Sequence, residues 1–464
     1  MNSGKRRDGR FPAAPIFAGE SKEDERLTIH IVKPGETLYQ IAQNYDIPLR
    51  DVIDANGLRN PDQIAVGQTI IIPFQSNVHI VRSGQSLYTI ARHHGITLDE
   101  LIAANPDLQP PYTIYPGQVI QIPGGTEKLG TIEVNGFLYS DITSETLNRT
   151  LPRLTYASIF STNITASGGL VPPGGEERII SAARSNNVAP LMVLTNLEEE
   201  SGFTSDTVAA LLSSQAAVDR LIANVLEALR TKRYYGVNVD FEYIPPAQRE
   251  NYIQFLRRLK SALQSAGYPL LVCLAPKLSD TQQGLLYEAH DYAAVGEIAD
   301  RVILMTYEWG YIAGPPMAVS PYVEVRKVLD YAVSRIPAAK LLMSLPGYGY
   351  DWTLPFNRGD RARNLSITQA TELAARYGAV IQFDEDAMTP FFTYYDSEGR
   401  EHIVWFEDAV SADAKLRLVH EYGLAGVSYW TINAFWPQNW AALDALYDVK
   451  KVLPALPDGG KDAL

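Results

Sequence analysis

The sequence lacks several features that mark particular classes of protein. It contains one cysteine among 464 residues, so no disulfide framework can form within the chain. That residue, Cys273, stands in an apolar run and is predicted to be a buried strand residue. No apolar run approaches the length that spans a membrane. We therefore expect neither a small disulfide-stabilised fold nor insertion into a membrane.

Basic charge is also scarce. The formal net charge is −13, which argues against a nucleic-acid partner and leaves no basic patch for an anionic membrane. The 7 histidines show no metal-ligand spacing. There is no Gly-x-Ser-x-Gly elbow and no glycine-rich loop of the kind that binds phosphate. We therefore expect no metal site and no cofactor.

The two ends of the chain lack the patterns of folded segments. Residues 1–26 contain basic residues but no apolar stretch after them, so they do not form a standard secretory signal. Residues 453–464 are rich in Pro, Gly and Asp. We interpret both segments as flexible tails.

What the chain does have is length, core-forming residues and tyrosine. Its 464 residues are enough for two or three domains. Its composition, 46% hydrophobic and 20% charged, is typical of a soluble globular protein. The 26 tyrosines provide many surfaces on which a flat ligand could stack.

An internal repeat follows the first tail. Each copy reads strand, helix, helix, strand, and the patterns Thr37-x-x-Gln40 and Thr97-x-x-Glu100 predict capping boxes. Neither copy holds a cluster of catalytic residue types, so we expect binding modules, with plain spacers as the alternative. The repeated segments, first copy then second, are 30–42 and 79–91, Asn56 and Asn105, and 67–70 and 117–120.

Both copies resemble LysM modules. They share with that family a Pro/Ser-Gly-Glu/Gln-Thr/Ser-Leu-Tyr opening, an Asn after the second helix and a closing Gly-Gln-x-Ile. We place the modules at 27–74 and 77–124, followed by a linker at 125–130. The resemblance implies binding of N-acetylglucosamine-containing glycans, as found in peptidoglycan or chitin.

The remainder of the chain alternates strand and helix patterns. Eight strand patterns fit a (β/α)8 TIM barrel over 131–452, with a doubly wound α/β sheet as the alternative. A long gap between strands seven and eight, about 353–408, predicts a small α+β insertion beside the cleft. The predicted strands lie near 132–139, 154–160, 189–195, 236–242, 270–275, 301–307, 340–345 and 426–430.

The fourth predicted strand differs from its neighbours. Strands of a parallel sheet covered on both faces should be apolar throughout. Alternation here places three apolar residues on one face and Asn238, Asp240 and Glu242 on the other. Carboxylates are rarely buried without a partner or a purpose, so this face predicts a functional site, with a solvated face as the alternative.

Aromatic residues follow the ends of several other predicted strands. In such a barrel the active site lies at the C-terminal ends of the strands. Aromatic rings stack on the apolar faces of pyranose rings, so acids surrounded by Tyr and Trp predict a sugar-binding site. The alternative is that these large side chains only cap the barrel core. With Asn238, the candidate substrate-binding residues are Tyr139, Met305, Glu308, Trp309, Tyr348, Trp352 and Trp430.

The barrel region resembles glycoside hydrolase family 18. The family signature Asp-Gly-x-Asp-x-Asp-x-Glu stands here as 235–242, and Met305, Tyr307 and Trp430 match further family positions. Tyr235 and Asn238 replace the first two aspartates. No Ser-x-Gly-Gly follows the third strand.

The family resemblance implies specific catalytic roles. Glu242 would be the acid and base, Asp240 would orient the substrate's acetamido group, and Tyr307 would hydrogen-bond that group's oxygen. The amide of Asn238 can donate a hydrogen bond to Asp240 but cannot share a proton with it. We therefore expect Asp240 to stay ionised more readily than it would beside a second carboxyl.

LysM modules ahead of such a barrel resemble the cortical fragment-lytic N-acetylglucosaminidases of endospore-forming bacteria. The resemblance implies a retaining, substrate-assisted hydrolase of spore-cortex peptidoglycan, located in the spore coat or cortex or at the cell wall. A chitinase is one alternative, and an inactive glycan-binding lectin is another. The presence of Glu242 together with Asp240 and Tyr307 favours an enzyme.

Overall fold

The computed structural model describes residues 27–73, 78–94, 96–122, 128–198 and 202–453. The predicted tails, apart from residue 453, and residues 125–127 of the predicted linker lie outside the described residues. The described chain forms two small βααβ modules, a closed parallel barrel and an antiparallel insertion.

The two repeats fold as predicted. In each module the first and last strands pair in antiparallel fashion, and the capping boxes at Thr37 and Thr97 are confirmed. The first module contains β1 (Thr28–Ile31), α1 (Leu38–Asn44), α2 (Leu49–Asn56) and β2 (Thr69–Ile72). The second contains β3 (Val78–Ile80), α3 (Leu87–His93), α4 (Leu98–Ala103) and β4 (Val119–Gln121).

The first strand of the barrel begins at Gly130. Its strands are hydrogen-bonded around the ring in the order in which the chain supplies them. The first half contains β5 (Gly130–Tyr139), α5 (Ser144–Thr150), β6 (Tyr156–Ile164), β7 (Leu170–Val171), α6 (Glu176–Ser185), β8 (Ala189–Thr195), β9 (Leu197–Glu198), β10 (Gly202–Phe203), α7 (Ser205–Leu212), α8 (Gln215–Lys232), β11 (Gly236–Asp240) and α9 (Arg249–Ser265).

The second half of the barrel is interrupted by the insertion. Before it come β12 (Leu270–Leu274), α10 (Tyr292–Ile298), β13 (Arg301–Leu304), α11 (Tyr322–Val333) and β14 (Leu341–Pro346). The insertion contains β15 (Tyr348–Leu354), β16 (Arg363–Ser366), α12 (Ile367–Tyr377), β17 (Gln382–Asp384), β18 (Thr389–Tyr395) and β19 (Glu401–Trp405). After it come α13 (Ala409–Tyr422), β20 (Gly426–Trp430), α14 (Pro437–Leu446) and β21 (Tyr447–Val449).

The ring closes where β20 pairs in parallel with β5, so the barrel prediction is confirmed and the doubly wound alternative is wrong. The eight barrel strands are β5, β6, β8, β11, β12, β13, β14 and β20. The insertion is a five-stranded antiparallel sheet, in the order β16-β15-β19-β18-β17, with α12 packed on it. It is the predicted small α+β unit between the seventh and eighth barrel strands.

Two apolar layers hold the barrel together. The outer layer fills the space between the strands and the helices, and the inner layer fills the barrel itself. Strands covered on both faces are apolar on both, which explains their long hydrophobic runs. No helix in the described ranges combines the length and apolar character that a membrane span needs.

Candidate active site

The strand β11 places the predicted acids at the mouth of the barrel. It pairs with β8 and β12, and all of its residues are buried. Val237 and Val239 belong to the outer apolar layer, so the alternating side chains of Asn238 and Asp240 point into the barrel. Glu242 follows just beyond the end of the strand and is partly exposed. The polar face of the predicted strand therefore faces the barrel interior.

Asn196 fixes the backbone that carries Glu242. Its Oδ1 accepts a hydrogen bond from the Glu242 amide at 3.0 Å, and its Nδ2 donates to the Glu242 carbonyl at 2.8 Å. The side chain is completely buried. Sequence reasoning missed this role, although Asn196 stands directly after the predicted strand 189–195.

His290 hydrogen-bonds the backbone next to Glu242, at Phe241. Its Nδ1 accepts a hydrogen bond from the Ala275 amide at 3.0 Å, so Nε2 carries the proton that bonds the Phe241 carbonyl at 3.0 Å. Burial lowers the pKa of His290 to about 4, so the imidazole stays neutral at physiological pH. No sequence pattern indicated this residue.

A chain of neutral hydrogen bonds lies beneath Asp240. The Cys273 thiol donates to Asn238 Oδ1 at 3.3 Å, and Asn238 Nδ2 donates to Ser158 Oγ at 3.2 Å. Ser158 Oγ in turn donates to Asn135 Oδ1 at 2.7 Å, and Asn135 Nδ2 donates to Ser428 Oγ at 2.9 Å. The same thiol also lies close enough to Asp240 to interact with it, which opposes the effect of burial on the pKa of that carboxyl. The expected donation from Asn238 to Asp240 is not observed, because the Asn238 amide donates to Ser158.

The two carboxyls have unusual acidities. Asp240 is 3% exposed, its Oδ1 has no hydrogen-bond partner, and burial raises its pKa to about 7. Burial thus opposes the easier ionisation of Asp240 that we expect from having an amide at Asn238. Burial also raises the pKa of Glu242 well above its usual value, and the charges of Asp240 and Glu308 raise it further. Glu242 can thus keep a proton near neutral pH, as a general acid requires.

Tyr307 and Met305 extend the site from the end of β13. Both pack with the inner layer, and Met305 is buried. Burial raises the pKa of the Tyr307 phenol well above its usual value, and the charge of Asp240 raises it further. The phenol therefore keeps its proton and can donate a hydrogen bond.

Trp430 and Tyr139 form an aromatic wall beside the acids. The Trp430 ring centroid lies 4.8 Å from that of Phe160, 5.3 Å from Phe137 and 5.9 Å from Tyr139. Edge-to-face packing of this kind holds the indole in one orientation. Tyr139 is 41% exposed and Trp430 is partly exposed, so both present surface to the cleft.

Glu308 lies close enough to act on Glu242 through its charge. Its Oε1 accepts hydrogen bonds from the hydroxyl groups of Tyr348 and, at 2.9 Å, Tyr350. The backbone of Glu308 has a φ of 69°, a left-handed conformation that costs roughly 1–2 kcal/mol for a residue with a Cβ atom. Glu308 is therefore a third carboxyl at the mouth of the barrel, positioned by its left-handed backbone conformation and by hydrogen bonds from two phenols.

Two of the predicted sugar-binding residues are placed differently. Trp352 is 1% exposed, and its Nε1 donates to the Gly314 carbonyl at 2.8 Å. Its ring packs among Tyr348 and Tyr350, beneath the exposed surface, and offers no face to a ligand. Trp309 packs against the outer apolar layer. In the described part of the chain no group of three or more His, Cys, Asp or Glu side chains could hold a metal ion.

Comparison with known proteins adds independent information. The model of glycosyl hydrolases family 18 matches residues 182–434, and the LysM domain model matches 30–73 and 79–123. The chain is 44% identical over 429 residues to the cortical fragment-lytic enzyme of Bacillus subtilis (strain 168), covering 92% of this chain and 99% of that protein.

Solved structures are similar as well. The spore cortex-lytic enzyme SleL of Bacillus megaterium QM B1551 aligns with a TM-score of 0.80 at 38% identity, covering 92% of this chain and 99% of that one. A chitinase from Chromobacterium violaceum ATCC 12472 aligns with a TM-score of 0.63 at 29% identity, over 68% of this chain and 98% of that one.

Proposed function

The chain belongs to glycosyl hydrolase family 18, and from that premise we propose that it hydrolyses N-acetylglucosaminyl bonds in spore-cortex peptidoglycan. The cortical fragment-lytic and spore cortex-lytic names of similar proteins support the choice of substrate. Two LysM domains support attachment to the glycan and a location in the spore coat or cortex or at the cell wall.

In the first step the bond to the leaving sugar breaks. Glu242 gives its proton to the glycosidic oxygen, while the oxygen of the substrate's 2-acetamido group attacks C1 and forms an oxazolinium ion. Asp240 orients the acetamido N–H and stabilises the positive charge that develops there. Tyr307 donates a hydrogen bond to the acetamido oxygen, and Trp430 supports the sugar ring.

In the second step water opens the oxazolinium ion. The Glu242 carboxylate takes a proton from the water while the water oxygen bonds to C1. The acetamido group is released unchanged. Two displacements at C1 give net retention of the anomeric configuration.

The observation that carries this mechanism is the difference in exposure between the two acids of β11. Asp240 is 3% exposed and offers little surface from which to attack C1, whereas Glu242 is partly exposed at the cleft and has a raised pKa. One acid is therefore placed for proton transfer, and the nucleophile comes from the substrate.

Analysis of the products from spore-cortex peptidoglycan, chitin oligomers and de-N-acetylated glycan tests the proposal. NMR of fresh products should show the retained anomer, and substrates without the N-acetyl group should be inert. Glu242→Gln should lower the rate on the order of 10²-fold or more while glycan binding persists. Faster cleavage of chitin oligomers than of cortex peptidoglycan would favour a chitinase. An inverted product, or cleavage of de-N-acetylated glycan, would contradict the mechanism.

A further inference from the structure

The two modules are equivalent in their own folds. In the first, the Ala65 amide donates to Gln68 Oε1 at 3.0 Å, and in the second the Tyr115 amide donates to Gln118 Oε1 at 3.0 Å. Ala65 and Tyr115 therefore occupy the same position, in the loop between the second helix and the last strand. This makes any difference in their surroundings informative.

The first module is fixed to the catalytic domain through this loop and the strand after it. Gln438 Nε2, on α14, donates to Asn56 Oδ1 at 3.1 Å and to the Thr69 carbonyl at 2.7 Å. The Ile381 amide of the insertion donates to the Val66 carbonyl at 2.9 Å. All of these contacts join the module to residues more than 300 positions away.

Packing agrees with the hydrogen bonds. Ala65 is 3% exposed and belongs to an apolar cluster whose other members come from the insertion and its surroundings, among them Ile381 and Trp436. A Cβ atom at Gly67 would collide with the carbonyl oxygen of Ile381, so the backbones are in close contact. The loop of the first module is thus covered.

The same loop of the second module is open. Tyr115 is 66% exposed, and a Cβ atom at Gly117, the counterpart of Gly67, would meet nothing within 4 Å. The hydrogen bonds of Asn105, the counterpart of Asn56, run to Leu101 and Gln121 of its own module. This loop also carries Tyr112, 38% exposed, where the first module has Asp62.

We infer that the two modules have different tasks. The second binds N-acetylhexosamine glycan through the loop that carries Tyr112 and Tyr115, because exposed phenol rings can stack on pyranose faces. The first uses the equivalent loop to hold itself on the catalytic domain, so that loop is closed to glycan. This division rests on the proposed function, which supplies the glycan as ligand.

Docking of the first module is tested with a matched pair of glycine variants. Gly67 and Gly117 have φ values of +84° and +87°, so Gly67→Ala and Gly117→Ala strain their own loops equally. Only Gly67→Ala should loosen the interface, raising hydrogen exchange at the Ile381 amide at least tenfold in the full chain. Gln438→Ala should act in the same direction. Unchanged exchange in both Gly67→Ala and Gln438→Ala would overturn the docking.

Glycan binding is tested in the full chain carrying Glu242→Gln, which prevents digestion of insoluble peptidoglycan. Replacing Tyr112 and Tyr115 together by alanine should weaken cosedimentation on the order of tenfold, since each ring contact contributes several-fold. Tyr39→Ala, which removes a 58% exposed tyrosine of the first module, should change it less than twofold.

The outcomes separate this inference from the proposed function. If the chain with intact modules fails to bind peptidoglycan, the proposed function is wrong. If it binds but the paired tyrosine variant binds equally well, or Tyr39→Ala weakens binding as much, only the division of tasks is overturned.

Discussion

Asp240 is a carboxyl that the fold makes costly to ionise. Burial raises its pKa from 3.8 to about 7, so the folded chain holds a proton that the unfolded chain releases between those pH values. Stability therefore falls as pH rises through this range and is independent of this group below it. The active enzyme carries this loss of stability, because the ionised form of Asp240 is the one that stabilises the oxazolinium ion.

Asp240→Asn should consequently stabilise the fold while removing activity. We expect the melting temperature of the variant, relative to the natural chain, to be unchanged near pH 4 and several degrees higher at pH 8. Calorimetry across that range measures the difference. Asp386→Asn, at an exposed aspartate, should show no such trend, and a pH-independent gain for Asp240→Asn would contradict the cause.

The Cys273 thiol donates to Asn238 and also lies close enough to Asp240 to oppose the effect of burial on the pKa of that carboxyl. Cys273→Ala should raise the pKa of Asp240, so the acid limb of the pH–rate profile should move to higher pH. Cys273→Ser keeps a donor and should restore the limb. Ile303→Val, at the residue paired with Cys273 on β13, removes volume without a polar group and serves as the control. Equal shifts in Cys273→Ala and Ile303→Val would show that only packing matters.

Glu308 raises the pKa of Glu242 through its charge, after the larger effects of burial and Asp240. Glu308→Gln should lower the pKa of Glu242. The alkaline limb of the pH–rate profile, where Glu242 loses its proton, should therefore move to lower pH. Glu227→Gln, on the exposed face of α8, should leave the profile unchanged. Complete loss of activity in Glu308→Gln would instead identify Glu308 as a nucleophile and contradict the substrate-assisted mechanism.

At the scale of elements, a buried ion pair joins the end of the insertion to the barrel. Glu407 follows β19, and its Oε1 accepts a hydrogen bond from Lys415 Nζ of α13 at 2.5 Å. Both side chains are 1% exposed. A buried charge that loses its partner costs about 3–5 kcal/mol, whereas replacing both partners by apolar groups is often neutral.

Lys415→Met should therefore lower the melting temperature on the order of 10 °C. Combining it with Glu407→Leu should recover most of that loss, because no unpaired charge remains. Thermal unfolding followed by circular dichroism measures both variants. A double variant as unstable as Lys415→Met alone would mean that the pair matters for packing and not for charge.

At the scale of the whole molecule, the first module covers part of the catalytic domain. Removing residues 1–125 should expose Ile381, Trp436 and Gln438, so the shortened chain should melt at a lower temperature. It should also lose far more activity on intact peptidoglycan than on short soluble fragments, because binding modules raise the effective substrate concentration. Equal losses on both substrates would argue against anchoring.

The elements and the central acids were predictable from local patterns in the sequence. Eight strand patterns, two repeats and the alternation around Asp240 and Glu242 are local signals, because the period of hydrophobicity follows from the geometry of a single element. The insertion was predicted for the same reason. The structure has these features near the positions that the local patterns indicate, although the insertion begins earlier than predicted, at Tyr348.

The surroundings of those acids and the covering of one module depend on contacts between distant segments of the folded chain. Asn196, His290 and Cys273 lie on three other segments, and their contacts with β11 and the residues that follow it depend on how the barrel closes. Trp352 carries the residue type of a sugar platform but is buried by the packing of the insertion. The two repeats share one fold but have different surroundings, because one meets Gln438 and the other does not. Contacts between distant segments leave no local pattern in the sequence.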